Sequence, residues 1–364
     1  MDVNYYQLGI EFAEYCKHKY HGNDSFDTLW DEYARFGIFE KFTSDNAMAF
    51  QEKVQLMKGL GYGNGNVGIL FSLNVQIWAC IMPLLKFANQ NTIGEYINML
   101  QTGKIKGAHA ISEPETGSDV FDMKTYYEEL EDGYHITGNK CFVSNAPIAD
   151  VFLVYAKNKE KNGLKSISCF LVDKTKSGVH VGEAQKKMGM NDSPFGDITL
   201  NDCVVSAEML VGKEGQGMNV FNFTMIHERP LLLAFQIGIM ERQFDDCVKY
   251  VKTRIIKGKR LLQYESVSNR IADMKTRVYI SNLILNDCID AICQNNAGVM
   301  LKSSMAKLSI SEMLCDNCMD AMRNYGTFGY IDGYDAASQL KDSIGSLFYS
   351  GTSDIQRNII SSLI

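Results

Sequence analysis

The chain has 364 residues, of which 46% are hydrophobic and 22% charged, and its net charge is −7. This length is too great for one simple core and predicts two or three domains, and the negative balance argues against a nucleic-acid-binding protein. Ten cysteines without a leader-like N-terminus predict reduced thiols in the cytoplasm, and no stretch approaches the roughly 18 apolar residues of a membrane span.

Residues 1–104 are predicted to form an N-terminal helical domain. The start signal for its second helix is Asn23-Asp24-Ser25. A break rich in glycine and asparagine covers residues 61–68. Helical periodicity runs through residues 5–20, 29–36, 54–60, 69–87 and 92–100.

Residues 105–213 are predicted to form a middle β domain. Turn residues at 131–133 and 161–163 indicate hairpins. The pattern of strand, helix and G-x-G-x-x-G that marks a dinucleotide-binding Rossmann unit does not occur. The β-rich runs cover residues 105–110, 124–128, 134–137, 151–156, 167–172, 179–186 and 197–205.

Residues 214–364 are predicted to be helical, so the fold class is α+β. Long periodic segments of this kind favour a four-helix bundle. Cys315 and Cys318 form a lone C-x-x-C pair, which we interpret as packing on a helix, and no metal site is predicted. The four segments cover residues 218–252, 263–291, 299–325 and 334–348.

Several short motifs follow one another in a fixed order. Residues 110–120 read Ala-Ile-Ser-Glu-Pro-Glu-Thr-Gly-Ser-Asp-Val, in which Gly117 permits close backbone approach and Ser118 can donate to a phosphate oxygen. The others are residues 138–145 (Gly-Asn-Lys-Cys-Phe-Val-Ser-Asn), 188–189 (Met-Gly), 211–217 (Val-Gly-Lys-Glu-Gly-Gln-Gly), 228–230 (Glu-Arg-Pro), Arg254 and 350–357 (Ser-Gly-Thr-Ser-Asp-Ile-Gln-Arg).

In this order and spacing the chain resembles the acyl-CoA dehydrogenase family of flavoproteins, from about Thr28 to the C-terminus. The resemblance implies an N-terminal helical domain, a middle β barrel and a C-terminal four-helix bundle. It further implies that FAD lies between the last two domains and that subunits assemble as a homodimer or homotetramer.

The resemblance implies α,β-dehydrogenation of a thioester, which needs a carboxylate base at Cα and donors on the thioester carbonyl. The family usually places a glutamate where this chain has Ser350, whose backbone N–H could still donate to the thioester oxygen. Enzymes similar to the isovaleryl and long-chain members carry the base on the bundle helix, at the position of Glu228. We therefore assign Glu228 as the base, against the alternative of an ordinary ion-paired helix residue beside Arg229, which we expect to order the helix.

The same resemblance assigns flavin contacts. Ile111 and Ser112 match residues at the pyrimidine edge, and Ser118 matches a pyrophosphate ligand. Phe142 replaces the usual tryptophan that flanks the isoalloxazine, and Ser144 matches the hydroxyl that bonds N5. Simple alternation in a half-buried strand is the alternative for the last pair.

The resemblance also implies contacts from the C-terminal helices to the diphosphate and adenosine of FAD. Arg254 matches an arginine that reaches the FAD diphosphate of a neighbouring subunit, and Arg323 could also serve a diphosphate. Thr352 and Asp354 match positions near the adenosine. Glu265 replaces a usual glutamine and would be unfavourable beside a phosphate, so that contact is not carried over.

The implied substrate is an acyl or aminoacyl thioester on coenzyme A or on a 4'-phosphopantetheinyl carrier protein. Departures from the family pattern at Lys257, Glu265 and Arg323 suggest a specialised, biosynthetic member. An electron-transferring flavoprotein or oxygen would accept the electrons. Tyr62, Phe71 and Trp78 could wall the acyl pocket, although core packing is the simpler interpretation.

Two other functions remain open from the sequence. A flavin oxidase or monooxygenase would need no α-carbon base, which fits Ser350 and would make Glu228 incidental. A catalytically silent homologue is permitted by the loss of the usual glutamate. The retention of Ser118, Ser144 and Gly351-Thr352 argues against this second alternative.

Overall fold

The computed structural model describes residues 3–20, 25–44, 48–63, 65–117, 119–331 and 334–364. Its N-terminal part is helical, as predicted. Ser25 begins the second helix, where its side chain accepts the Thr28 N–H at 3.3 Å, whereas Asn23 and Asp24 lie outside the described residues. The helices are α1 (Tyr5–Tyr20), α2 (Phe26–Arg35), α3 (Ile38–Thr43), α4 (Phe50–Tyr62), α5 (Val67–Asn74), a π-helix (Val75–Ile81), α6 (Met82–Phe87) and α7 (Gln90–Gln101).

One continuous helical run, Val67–Phe87, is long and apolar enough to cross a membrane, with a mean hydropathy of 1.8 over its apolar window. The prediction that no stretch approaches this length was wrong. However, 89% of that window is buried inside the protein. The run packs against the bundle and the sheet, so its apolar composition is that of a core helix.

The middle part is a seven-stranded sheet. The strand order is β1-β4-β2-β3-β7-β6, and β5 pairs with β4. β1 and β2 pair in parallel with successive parts of β4, while the β2–β3 and β4–β5 hairpins are antiparallel, as the turns predicted. The strands are β1 (Gly107–Ala110), β2 (Tyr126–Leu130), β3 (Gly133–Ser144), β4 (Val151–Asn158), β5 (Ile167–Asp173), β6 (Val179–Val181) and β7 (Phe195–Val205).

The sixth strand is shorter than the predicted run at residues 179–186. After Val181 the regular ladder gives way to separate hydrogen bonds from the Gly182 and Gln185 N–H groups to the Asp197 and Phe195 carbonyls of β7, and the chain then packs on the helices. A side chain at Gly189 would lie 2.5 Å from the Lys341 backbone, and the Met190 N–H donates to Asp342 at 2.5 Å. The segment after β6 therefore ties the sheet to the C-terminal helices.

The C-terminal part contains the four predicted long helices and two short ones that periodicity did not predict, α11 and α13. The last predicted segment, at residues 334–348, ends earlier, at Gly345, and a turn follows it. The elements are α8 (Gly217–Thr253), β8 (Ile255–Ile256), β9 (Lys259–Arg260), α9 (Glu265–Cys293), α10 (Val299–Tyr325), α11 (Thr327–Tyr330), α12 (Asp335–Gly345) and α13 (Ser353–Ser362).

The order of helices, sheet and helices confirms the predicted α+β class. One apolar core joins the N-terminal helices to α8–α10, and a second core fills the sheet. We propose that the domains are residues 1–104, 105–213 and 214–364, a division that the separate core of the sheet supports.

Candidate active site

Glu228 lies in the first half of α8 and is only 5% exposed. Its Oε1 accepts a hydrogen bond from the Ser350 hydroxyl at 2.9 Å. Burial raises the pKa of this carboxyl to about 7, while the Ser350 hydrogen bond and the Arg229 charge act in the opposite direction. A carboxyl with this pKa is partly ionised near neutral pH and is therefore suited to accept a proton from a weakly acidic carbon.

The pH dependence of catalysis should report this raised pKa. Because only the ionised carboxylate can accept a proton, we expect the rate of flavin reduction to rise through a pH of about 7 and then level off. Stopped-flow reduction between acidic and alkaline pH, at saturating substrate, measures it. A rate that is already at its plateau near the ordinary glutamate pKa would contradict the assignment.

The same shift has a consequence for folding that serves as a control. Since the folded-state pKa of about 7 lies above the ordinary value of 4.5, the folded protein binds the extra proton between these limits. The free energy of unfolding should therefore fall by roughly 3 kcal/mol as the pH rises through this window. Urea unfolding of Glu228→Gln should lack this fall.

Ser350 occupies a turn with a left-handed backbone, at φ 53°. Its carbonyl accepts from Arg229 Nε at 3.3 Å and from Gln356 Nε2 at 3.1 Å. The next residue, Gly351, has φ +90°, and a side chain there would lie 2.5 Å from Gln356 Nε2. Two donors and a required glycine thus hold the turn so that the Ser350 hydroxyl meets Glu228.

Arg229 joins this turn to the bundle. It is 3% exposed and also donates to the Ser304 hydroxyl of α10 at 3.3 Å. Burial lowers the pKa of its guanidinium to about 10, and the nearby Glu228 carboxylate opposes this shift. These contacts support the predicted role of Arg229, which is to order the helix and not to react.

Hydrogen bonds hold the segment after β1, which contains Ile111 and Ser112, against β3. The Ser112 carbonyl accepts the Cys141 N–H at 2.9 Å, and the Ile111 carbonyl accepts from Lys140 Nζ at 3.2 Å. The structure therefore brings Ile111 and Ser112 beside the end of β3, which carries Phe142 and Ser144. Sequence reasoning had grouped these four residues only through the family resemblance.

A buried ion pair also holds the segment after β1 against β3. Lys140 Nζ lies 2.7 Å from Glu113 Oε1, and the two side chains are 0% and 3% exposed. The Glu113 carboxylate also accepts the N–H groups of Lys124 at 2.5 Å and Thr125 at 3.0 Å. Sequence reasoning missed this pair, because the strand that carries Lys140 has mixed composition and gives no local sign that the lysine is buried.

The residues described here fit the isoalloxazine of a flavin. The Phe142 ring is 62% exposed, its backbone is left-handed at φ 54°, and it stacks on Phe195 at 6.0 Å. Among the described residues, the Ser112 and Ser144 hydroxyls have no hydrogen-bonding partner. An open aromatic face beside two free hydroxyls suits a planar ring with polar edges.

The phosphate-binding side of the predicted site is described in part. Gly117 has φ +47°, and a side chain there would meet nothing within 4 Å, so a phosphate could approach its backbone. Ser118, the predicted pyrophosphate ligand, lies outside the described residues.

The two residues predicted near the adenosine lie at the start of α13. Thr352 begins this helix, and its hydroxyl accepts the Ile355 N–H at 3.2 Å. Asp354 is exposed and pairs with Arg357 at 3.3 Å.

The two predicted diphosphate arginines lie elsewhere on the surface. Arg254 ends α8 and lies over the Phe328 ring at 5.7 Å. Arg323 pairs with Asp320 at 3.1 Å in the last turn of α10. In the described parts of the chain no contact links either arginine to the Glu228 site, which is compatible with a role toward a neighbouring subunit.

Comparison with known proteins places this site in a family. The models of the acyl-CoA dehydrogenase middle domain and C-terminal domain match residues 108–203 and 215–364. The chain is 34% identical to an L-prolyl-[peptidyl-carrier protein] dehydrogenase of Serratia sp., covering 91% of this chain and 87% of the relative. A protein of the same description from Pseudomonas fluorescens is 36% identical, with 84% and 80% covered.

Solved structures agree with the sequence relatives. The structure of PigA with FAD and proline has a TM-score of 0.93 at 31% identity, covering 100% of this chain and 99% of that one. The prolyl acyl carrier protein oxidase AnaB has a TM-score of 0.92 at 30% identity, with 99% and 97% covered.

The chain belongs to the acyl-CoA dehydrogenase family. It is an FAD-dependent oxidoreductase that acts on the CH–CH group of a thioester. The predicted family, fold, cofactor and reaction class are thereby confirmed.

Proposed function

We propose that this protein dehydrogenates an L-prolyl group carried as a thioester on a peptidyl carrier protein. The observation that carries this proposal is the buried Glu228 carboxylate, held 2.9 Å from Ser350 on the turn where the family usually places its glutamate. Relatives at 34% and 36% identity that are described as L-prolyl-[peptidyl-carrier protein] dehydrogenases support the choice of substrate.

The cofactor and the protein each carry out one part of the proposed reaction. Bound FAD supplies the two-electron acceptor for the hydrogen that leaves Cβ with its bonding electrons. Glu228 takes the α-proton, and the two electrons of that C–H bond form the new carbon–carbon double bond. Among the described residues, the Ser350 backbone N–H has no acceptor, so it is free to donate to the thioester oxygen, which gains negative charge as the α-proton leaves.

The product of this reaction gives a direct test. We expect the wild-type protein to remove two hydrogen atoms from L-prolyl carrier protein, detected by mass spectrometry of the carrier-bound group. A prolyl group deuterated at Cα should lose its label to water under anaerobic conditions, unless Glu228 is replaced by glutamine. Loss of hydrogen from acyl-CoA thioesters alone would contradict the choice of carrier and acyl group.

Replacement of Ser350 by alanine tests its positioning role. The hydroxyl stabilises the ionised Glu228, so Ser350→Ala should raise the pKa of this carboxyl and move the pH–rate profile to higher pH. We expect the rate below neutral pH to fall by about tenfold, corresponding to one pKa unit. Ser350→Asn keeps a donor and tolerates the left-handed backbone at this position, so it is the matched control, and an unchanged profile in Ser350→Ala would contradict the role.

We propose that either oxygen or an electron-transferring flavoprotein reoxidises the enzyme. The description of AnaB as an oxidase favours oxygen. A buried base beside the turn argues against a monooxygenase that needs no α-proton transfer. Reoxidation within seconds in air-saturated buffer would support oxygen, and slow reoxidation would favour the flavoprotein.

We also propose that the protein is a cytoplasmic homodimer or homotetramer. The large apolar side chains Tyr279 and Leu283 are 62% and 52% exposed on α9, which supports burial against another copy. Arg254 would then meet the FAD diphosphate of the neighbouring subunit. All ten cysteines are free thiols, which suits a reducing compartment.

A further inference from the structure

α8, which carries Glu228, packs against the helical run that contains the π-helix and α5, and the seam between them is here called the groove. The pKa of the Cys80 thiol, on the π-helix, is raised first by burial and then by the charges of Cys169 and Glu228. Both the π-helix and α5 pack on α8. Gln236 lies eight residues after Glu228 on the same face of α8, which is about 12 Å along the helix.

Two aromatic side chains close this groove. Tyr349 precedes Ser350, and its hydroxyl accepts a hydrogen bond from Gln236 Nε2, which holds the ring along the groove. The Phe71 ring of α5 packs against Tyr349, with ring centroids 4.6 Å apart and planes at 48°. Phe71 is 5% exposed and Gln236 is 1% exposed, so neither side chain has free space in which to turn.

Little room remains behind the aromatic pair. The cavity that Tyr349 and Gln236 line together measures about 10 Å³, which is space for about one water molecule. Its lining includes Gln236 and Asp342, and the Gln236 Oε1 atom has no hydrogen-bonding partner among the described residues. The other lining residues are mostly apolar, so it is the small volume, and not the polarity of the lining, that would exclude a long alkyl chain there.

We propose that Phe71 and Tyr349 form the end wall of the acyl pocket and restrict the enzyme to compact acyl groups, of which a five-membered aminoacyl ring is one. This inference rests on the proposed function, since it takes Glu228 as the point where Cα lies. Of the three aromatic residues considered as pocket walls from the sequence, only Phe71 has this position. Trp78 stacks on His227 at 6.2 Å, and Tyr62 bonds Asp245 at 2.8 Å.

Shortening Phe71 should open the groove. In Phe71→Ala we expect flavin reduction by a linear hexanoyl carrier-protein thioester to gain about tenfold relative to L-prolyl carrier protein, since a few methylenes in a hydrophobic pocket are worth that discrimination. Calorimetry on the dithionite-reduced holoenzyme, which cannot turn over, should report tighter binding of hexanoyl thioester to the variant. Phe71→Leu is the milder variant if alanine prevents folding.

Phe39→Ala is the matched control, because Phe39 is fully buried in α3 and packs on Trp30 at 5.1 Å, away from the groove. It should be destabilised similarly without any gain for hexanoyl thioester. Two results would contradict the end wall but not the proposed function. One is wild-type protein whose flavin is reduced equally fast by prolyl and hexanoyl thioesters, and the other is a Phe71 variant whose preference between these two thioesters is unchanged. Wild-type protein that accepts no prolyl thioester would overturn the proposed function instead.

Discussion

Glu228→Gln is expected to slow dehydrogenation by a factor on the order of 10³, the typical contribution of a general base. Glutamine has the same shape and can still accept the Ser350 hydrogen bond at 2.9 Å, so the turn and the flavin site should stay intact. It cannot accept the α-proton. The measurement is single-turnover flavin reduction, together with the flavin absorbance of the purified variant.

The control for this variant removes a carboxylate elsewhere on the same helix. Asp246 is half-exposed and pairs with Arg242 at 2.8 Å, one turn apart on α8. Asp246→Asn should leave the rate of flavin reduction unchanged, because an exposed pair of this kind contributes little. Full activity of Glu228→Gln would require another base and would end the present assignment.

Lys140→Met is expected to destabilise the protein by about 3–5 kcal/mol, because it leaves the buried Glu113 charge without its counter-charge. Burial alone would raise the pKa of Glu113, but the charge and hydrogen bond of Lys140 lower it overall. The ion pair therefore stabilises the fold at neutral pH, and this contribution is lost as the pH falls through the Glu113 pKa. Urea unfolding at neutral and acidic pH measures both effects.

Two further variants separate the charge from the packing. The double variant Lys140→Met/Glu113→Gln should recover part of the lost stability, since no buried charge remains unpaired. Lys159→Met removes an exposed pair with Glu128 at 3.0 Å in the same sheet and should cost less than about 1 kcal/mol. A Lys140→Met variant as stable as Lys159→Met would contradict the importance of the buried pair.

The Lys140 variant also tests the flavin site. Lys140 Nζ holds the Ile111 carbonyl at 3.2 Å, so its loss should loosen the segment that carries Ile111 and Ser112. Weaker retention of FAD on dilution, followed by flavin fluorescence, is the expected result.

Much of the architecture could be predicted from periodicity. The long helices α8, α9 and α10 coincide with segments predicted from periodicity, and turn residues predicted the β2–β3 hairpin. Short elements such as α3 and α11 were missed because they have too few turns to set up a period. The predicted extent of β6 was too long, because the regular ladder with β7 ends at Val181 and leaves only separate hydrogen bonds from Gly182 and Gln185 to that strand.

The site was predictable only through family resemblance. Glu228 and Ser350 are 122 residues apart in sequence, and no local pattern indicates that they share a hydrogen bond. The Lys140–Glu113 pair and the Phe71–Tyr349 contact likewise depend on which elements become neighbours in the fold. The positions of Arg254 and Arg323 stay predictions, since a second subunit would be needed to complete them.

The most direct test is an anaerobic absorbance titration of the purified flavoprotein with L-prolyl carrier protein, and separately with prolyl and acyl thioesters of coenzyme A. The account predicts that the flavin band bleaches with L-prolyl carrier protein in the wild type and persists in Glu228→Gln. Persistence of the band in the wild type with every thioester, while flavin is bound, would contradict the proposed dehydrogenation.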